Sequence, residues 1–259
     1  MAMKQVSIME LMAWAFREEL PKVERQGSFA TTGAVASTAA MIAQVGELGT
    51  LVDVPVNQWG VVPVMVDDEP HPDALRVGEA VRALTGKTVT PPDGWNPFPD
   101  WADEDGLVAA AVASALPSIS AHAGRTFLAD AVCAAVLGKS IDWRCDPPRR
   151  RMVMRGGKPA WFAETSGSDA SGQWVREIDG YDRRSKRPRP GAYRKYELTR
   201  PIHGDISTRF RRAAWASGLR LLARQLAAEG LAAHELTNRV PRIAPWEPKE
   251  NVPAMFDFS

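Results

Sequence analysis

Along this chain of 259 residues the spacing of apolar side chains changes from a helical period to a strand period and back, which constrains the fold more than any other feature. Up to about residue 138, apart from a change over 51–66 and a loop over 88–105, the apolar positions recur every three or four residues, as one face of a helix requires. From Arg151 to about Leu198 they tend to alternate, as half-buried strands require. From Asp205 to Glu229 the helical period returns, with Trp215, Leu219, Leu222 and Leu226 on one face. The expected fold class is α+β: mainly helical, with a small antiparallel β-hairpin or sheet element in the second half.

The helix expected first runs from Ser7 to Leu20. Ser7 and Glu10 have the S-x-x-E spacing of a capping box, Leu11, Met12 and Phe16 fall on the apolar face, and Pro21 stops the run. A second, Ala-rich helix is expected over 33–48, closed by Gly49. The β-branched run 60–66 predicts a short strand, which Pro63 confines to an edge. His71-Pro72 opens a helix whose stripe is Ala74, Val77, Val81 and Leu84. Four prolines predict a loop over 88–105, and helices are expected over 105–116 and 118–137.

A polar linker over 139–150 places the main boundary near 143/144, giving an acidic helical region, 1–143, and a basic β-element with a long closing helix, 144–259. One compact body is the alternative, with the last helix packing on the first. Beyond the linker, Gly156-Gly157 predicts a tight hairpin turn. Ser166 to Gly172 predicts a loop, with further strands over 173–178 and 192–198.

Net charge is +1, but the charges are segregated. Residues 1–143 hold 9 Lys and Arg against 18 Asp and Glu; residues 144–212 hold 18 against 8. The N-terminus lacks the pattern of a signal peptide, and the longest apolar runs, such as 107–116, fall short of the ~20 residues that span a bilayer. A cytoplasmic protein with no membrane partner is expected. Cys133, inside an apolar helical run, is expected to act as a small hydrophobe, and no disulfide with Cys145 is expected.

Chemistry is mostly excluded. Phosphate-loop, dinucleotide, nucleophile-elbow and zinc-protease patterns are absent. No paired Cys/His spacing predicts zinc, so no cofactor and no metal are expected. His71 reads as a helix cap, His122 as half-exposed, and Asp205 as the cap of the last helix. The acids 67–69 and 103–105 read as turn and helix-start residues, with a divalent-cation site as the lesser alternative. No catalytic residue is assigned, and a binding protein is expected in preference to an enzyme.

Three segments, Ser7 to Phe16, Glu69 to Ala74 and Gly156 to Phe162, resemble pieces of uncharacterised bacteriophage and prophage proteins. The resemblance carries no catalytic or binding residue. It implies a setting in which DNA handling, gene regulation and inhibition of host factors are common.

The basic stretch interleaved with aromatics rises above this background. Arg149, Arg150, Arg151, Arg155, Lys158, Arg183, Arg184, Lys186, Arg187, Arg189, Arg194 and Lys195 can neutralise phosphates, and Trp161 and Tyr193 can stack on bases. Pro188 and Pro190 are expected to keep the 183–190 segment extended. The function expected is a nucleic-acid-binding accessory or regulatory protein of phage or prophage origin. Two alternatives stand beside it: an inhibitor or adaptor binding a host protein through Trp95, Trp101 and Trp246, and, below that, a metal-dependent nuclease. A basic segment docked on the chain's own acids is the bland explanation.

Overall fold

The computed structural model describes residues 3–23, 64–65, 69–169, 172–248, 250 and 254–259. The helix expected over 33–48, most of the run 60–66, and Asp67 and Asp68 lie outside these residues. Among the described residues the fold is α+β as expected. Helices α1 (Ile8–Trp14), α2 (Pro72–Leu84), α3 (Leu107–Leu137) and α4 (His203–Glu229) are joined by small two-stranded sheets, mostly antiparallel.

The chain divides into two units, and α3 and α4 contribute to both. One comprises Met1–Trp95, Pro117–Trp143 and Thr208–Ser259; the other comprises Asn96–Leu116 and Arg144–Ser207.

In the first unit, the Ser7 Oγ accepts from the Glu10 N–H at 3.2 Å while the Glu10 carboxylate accepts from the Ser7 N–H at 2.7 Å. That is the expected capping box, and it starts α1. Leu11, Met12 and Phe16 are buried, as the stripe requires. The helix then widens into a π turn over Ala15–Glu19, where the Leu20 N–H reaches the Ala15 carbonyl at 2.8 Å. This turn presents the Glu19 carboxylate to the His71 N–H at 2.9 Å, at the entrance of α2. Ala74, Val77, Val81 and Leu84 are buried along α2, and Trp215, Leu219, Leu222 and Leu226 along α4. At Gly218 an added Cβ would collide with the Phe127 ring, so the glycine lets that ring pack against α4.

Several expectations change. No break occurs at Pro117: α3 is a single 31-residue helix with the proline inside it. By length and composition α3 is apolar enough to cross a membrane, and a third of its most apolar window is buried. Asp130 on this helix is buried and accepts from Arg211 through Nε, at 2.7 Å, and Nη2, a bidentate pair on one guanidinium edge. Cys133 is exposed, so it is not core; His122 is also exposed. Val89–Thr90, inside the expected loop, pairs with Asp257–Phe258. Trp95 packs edge-on against Phe210 and Phe256, with centroids 5.4 and 5.7 Å away, and Trp246 is buried. Trp95 is half-buried.

Candidate nucleic-acid interface

The second unit is built from short two-stranded pairings. Arg150–Met152 pairs antiparallel with Tyr196–Leu198. Met154–Arg155 pairs with Lys158–Pro159 across Gly156 and Gly157, whose φ angles of 58° and 76° are the two positive values a two-residue hairpin turn demands. A long ribbon follows, Phe162–Asp169 against Gly172–Asp179. Ser166 to Asp169 therefore belongs to a strand, not to a loop. Gly167 faces Trp174 across the ribbon and leaves room for the indole; an added Cβ would clash with that ring. The glycine here serves packing, which is why it misleads as a turn signal.

The base of the ribbon places the candidate site. Phe162 and Tyr193 exchange backbone hydrogen bonds at 2.9 and 2.8 Å. Gly180 passes over Phe162 so closely that a Cβ would sit 2.6 Å from its carbonyl carbon. The Gly180 N–H donates to the Trp161 carbonyl, and its own carbonyl accepts from the Arg189 N–H. This crossing sets Tyr181 and Arg183 beside the Gly156–Ala160 turn. Arg155, Lys158, Trp161, Tyr181, Arg183 and Arg194 then converge, with Asp179, on an open cleft of about 550 Å³. The Arg194 guanidinium lies 3.6 Å above the centre of the Trp161 indole and donates to the Pro159 carbonyl. That bond fixes the stack.

The segment 183–190 is not extended. Tyr181–Asp182 pairs with Arg187–Pro188, and Arg183 to Lys186 form the turn between them. The Asp182 carboxylate accepts from the Arg184 N–H at 2.9 Å, and Lys186 takes the left-handed φ of 56° that closes the turn. A four-residue turn spreads Arg183, Arg184 and Lys186 around one tip, all of them exposed.

Ion pairing separates the expected cations into two groups. Arg150 meets Glu104 at 2.8 Å and also Asp105, and stacks over Tyr196. Arg151 meets Glu197 at 2.9 Å, Arg155 meets Asp179 at 3.2 Å, and Lys195 meets Glu177. The Tyr193 hydroxyl donates to Glu177 at 3.0 Å, so its ring is held in the ribbon and is not a free platform. Among the described residues no ion pair involves Arg149, Lys158, Arg183, Arg184, Lys186, Arg187, Arg189 or Arg194. Asp179 remains ionised in the cleft: the Tyr181 N–H, at 3.0 Å, holds its carboxyl below the usual carboxylate range, with Arg155 and Arg183 adding to that.

The charge asymmetry of the sequence is diluted in space. Asn96–Leu116 and Arg144–Ser207 together hold 15 Lys and Arg against 12 Asp and Glu. The acids of 103–105 account for part of this. Asp103 caps α3 by accepting from the Val108 and Ala109 N–H groups, and its two neighbours neutralise Arg150. Asp205 lies inside the first turn of α4, paired with Arg200 at 2.6 Å, and does not cap it.

A second polar cluster was invisible in the sequence. Asp73 is fully buried and accepts from the Ala232 N–H at 2.6 Å, the Ala233 N–H at 3.0 Å and His234 Nδ1 at 2.9 Å. His71 caps α2 as expected, its Nδ1 accepting from the Asp73 N–H at 3.0 Å. Trp14 packs against both imidazoles. Asp73 and His234 lie far apart in the chain, so no local signal links them. Among the described residues no group of three or more His, Cys, Asp or Glu is arranged to hold a metal ion.

No protein-family model, curated protein or solved structure matches the chain.

Proposed function

We propose that the protein binds nucleic acid through the cleft at the base of the ribbon and the adjoining hairpin tip. One observation carries this reading: Lys158, Arg183 and Arg194 line a single cleft with the Arg194–Trp161 stack, beside a turn whose cations have no ion-pair partner among the described residues. Unpaired cations attract phosphates and release their counterions, and a stacked indole–guanidinium pair offers a flat face to a base. Arg150, Arg151, Arg155 and Lys195 are paired with the protein's own carboxylates, so they are less available to phosphates. The resemblance to phage and prophage proteins supplies an accessory or regulatory setting for such binding.

A titration with DNA and RNA oligonucleotides at several salt concentrations tests this. Changing Arg183, Arg184, Lys186, Arg187 and Arg189 to Ser is expected to lower the slope of log affinity against log salt by about four to five units. Trp161→Ala is expected to weaken binding roughly tenfold with the salt slope unchanged. Equal, weak binding by wild type and the five-residue variant would remove the reading. A second reading, docking of a partner protein, is favoured by one observation: Trp174 and Val175 are 40% and 69% exposed on a two-stranded ribbon.

A further inference from the structure

A smaller cavity, of about 240 Å³, lies in the first unit between α4 and the segment after strand His234–Leu236. Its polar wall is Arg220, Arg224, Thr237 and Asn238; its apolar wall includes Ala223 and Val240. Arg220 and Arg224 are one helical turn apart, so their Cβ atoms lie within about 6 Å and the two like charges repel. No acid lines the cavity, and among the described residues neither guanidinium has an ion-pair partner. Arg220 Nε and Thr237 Oγ1 are both buried and have no hydrogen-bond partner among the described residues. Two unsatisfied buried donors in one wall are costly unless something accepts from them. Burial, with Arg224 adding its repulsion, pushes the Arg220 guanidinium below its usual range, in keeping with a cation awaiting a counter-charge.

The geometry points to a binding site for the phosphate group of a small phosphomonoester. Two guanidinium groups match the two charges of a phosphate dianion and can share its oxygens in forked pairs, a match a single carboxylate group cannot fill. The Thr237 hydroxyl and the Asn238 amide add neutral donors, and Ala223 and Val240 face the organic remainder. This site is separate from the basic hairpin and does not depend on it.

Isothermal titration with phenyl phosphate and with benzoate, at fixed ionic strength, tests the assignment. Wild type is expected to bind phenyl phosphate saturably and at least tenfold more tightly than benzoate. Arg224→Ala, at an exposed position that leaves the fold intact, is expected to raise the Kd tenfold or more; Thr237→Val should raise it less. The variant lacking the five hairpin cations is expected to keep wild-type affinity. Absence of saturable binding, equal affinity for benzoate, or an unchanged Kd in Arg224→Ala would overturn the site. Loss of binding in the hairpin variant would do so too, by assigning the effect to the other unit.

Discussion

In the unit built on α1, α2 and most of α3 and α4, the most constrained charges are buried. Asp73 sits at 0% exposure with three donors on its carboxylate, and Asp130 at 4% with Arg211. In the unit carrying the ribbon, charges lie on the surface: some are cancelled in pairs, and others stand unpaired at a hairpin tip. The difference separates what a charge does in each place. A buried carboxylate fixes chain geometry because its donors have no alternative partner. A solvated guanidinium adds little to stability and remains available to a phosphate. Mutations should therefore act on stability in one unit and on binding in the other.

The largest expected effect is on Asp73. Asp73→Ala leaves the Ala232 and Ala233 N–H groups and His234 Nδ1 without an acceptor, at roughly 1–3 kcal/mol each. Chemical denaturation is expected to show a loss of at least about 3 kcal/mol. The acid dependence gives a second readout. Burial pushes the Asp73 carboxyl up, but the bonds from Ala232, His234 and Ala233 overcome it and hold it below 3.8. Its stabilising contribution is thus complete above the unfolded value and is lost as pH falls through the lower, folded one. Wild type should lose stability more steeply than Asp73→Ala as pH falls below about 4. Parallel acid profiles would mean the carboxylate is not the clamp.

Next in size is Leu11→Ala. Leu11 is fully buried on α1, and truncation is expected to cost about 2–5 kcal/mol. A melting temperature unchanged from wild type would place that face outside the core and weaken the contrast between the units.

What the sequence made legible follows the same division. α1 and the stripes of α2 and α4 were readable because their caps and periods are local, and Ser7, Glu10, Val77 and Leu219 sit where those signals put them. Pro117 misled because a helix interior can absorb one proline where neighbouring turns continue it. Gly167 misled because its missing side chain makes room for Trp174. The Asp73–His234 bond joins residues 161 positions apart in the chain, so only the tertiary fold reveals it. The basic stretch was legible as composition, but its pairing was not: Glu104 and Asp105 neutralise Arg150 from well upstream of it. Which cations stay free is a property of the folded surface.

A smaller effect is expected at the crossing that builds the cleft. Gly180→Ala introduces a Cβ 2.6 Å from the Phe162 carbonyl carbon and should cost about 1–3 kcal/mol through a local backbone shift. That shift moves Tyr181 and Arg183 away from the Gly156–Ala160 turn. Oligonucleotide affinity should fall even though no cation is removed, and unchanged affinity would show that the hairpin tip binds without the cleft.

The smallest expected effect discriminates most finely within the ribbon unit. Arg151 and Arg187 are both exposed arginines in short strands, but Arg151 meets Glu197 at 2.9 Å whereas Arg187 has no ion pair among the described residues. Each is changed to Gln, which keeps length and polarity and removes one charge. Both variants should melt within about 2 °C of wild type, because exposed charges contribute little to folding. For Arg187→Gln the slope of log affinity against log salt should fall by about one unit, because one phosphate contact is lost. For Arg151→Gln the slope should hardly move, since the guanidinium it removes already has a carboxylate partner. Equal slope changes in the two variants would mean that nucleic acid outcompetes Glu197 for Arg151, and that internal pairing does not select which cations bind. A change confined to Arg187 would show that the hairpin tip binds through cations the fold has left unpaired.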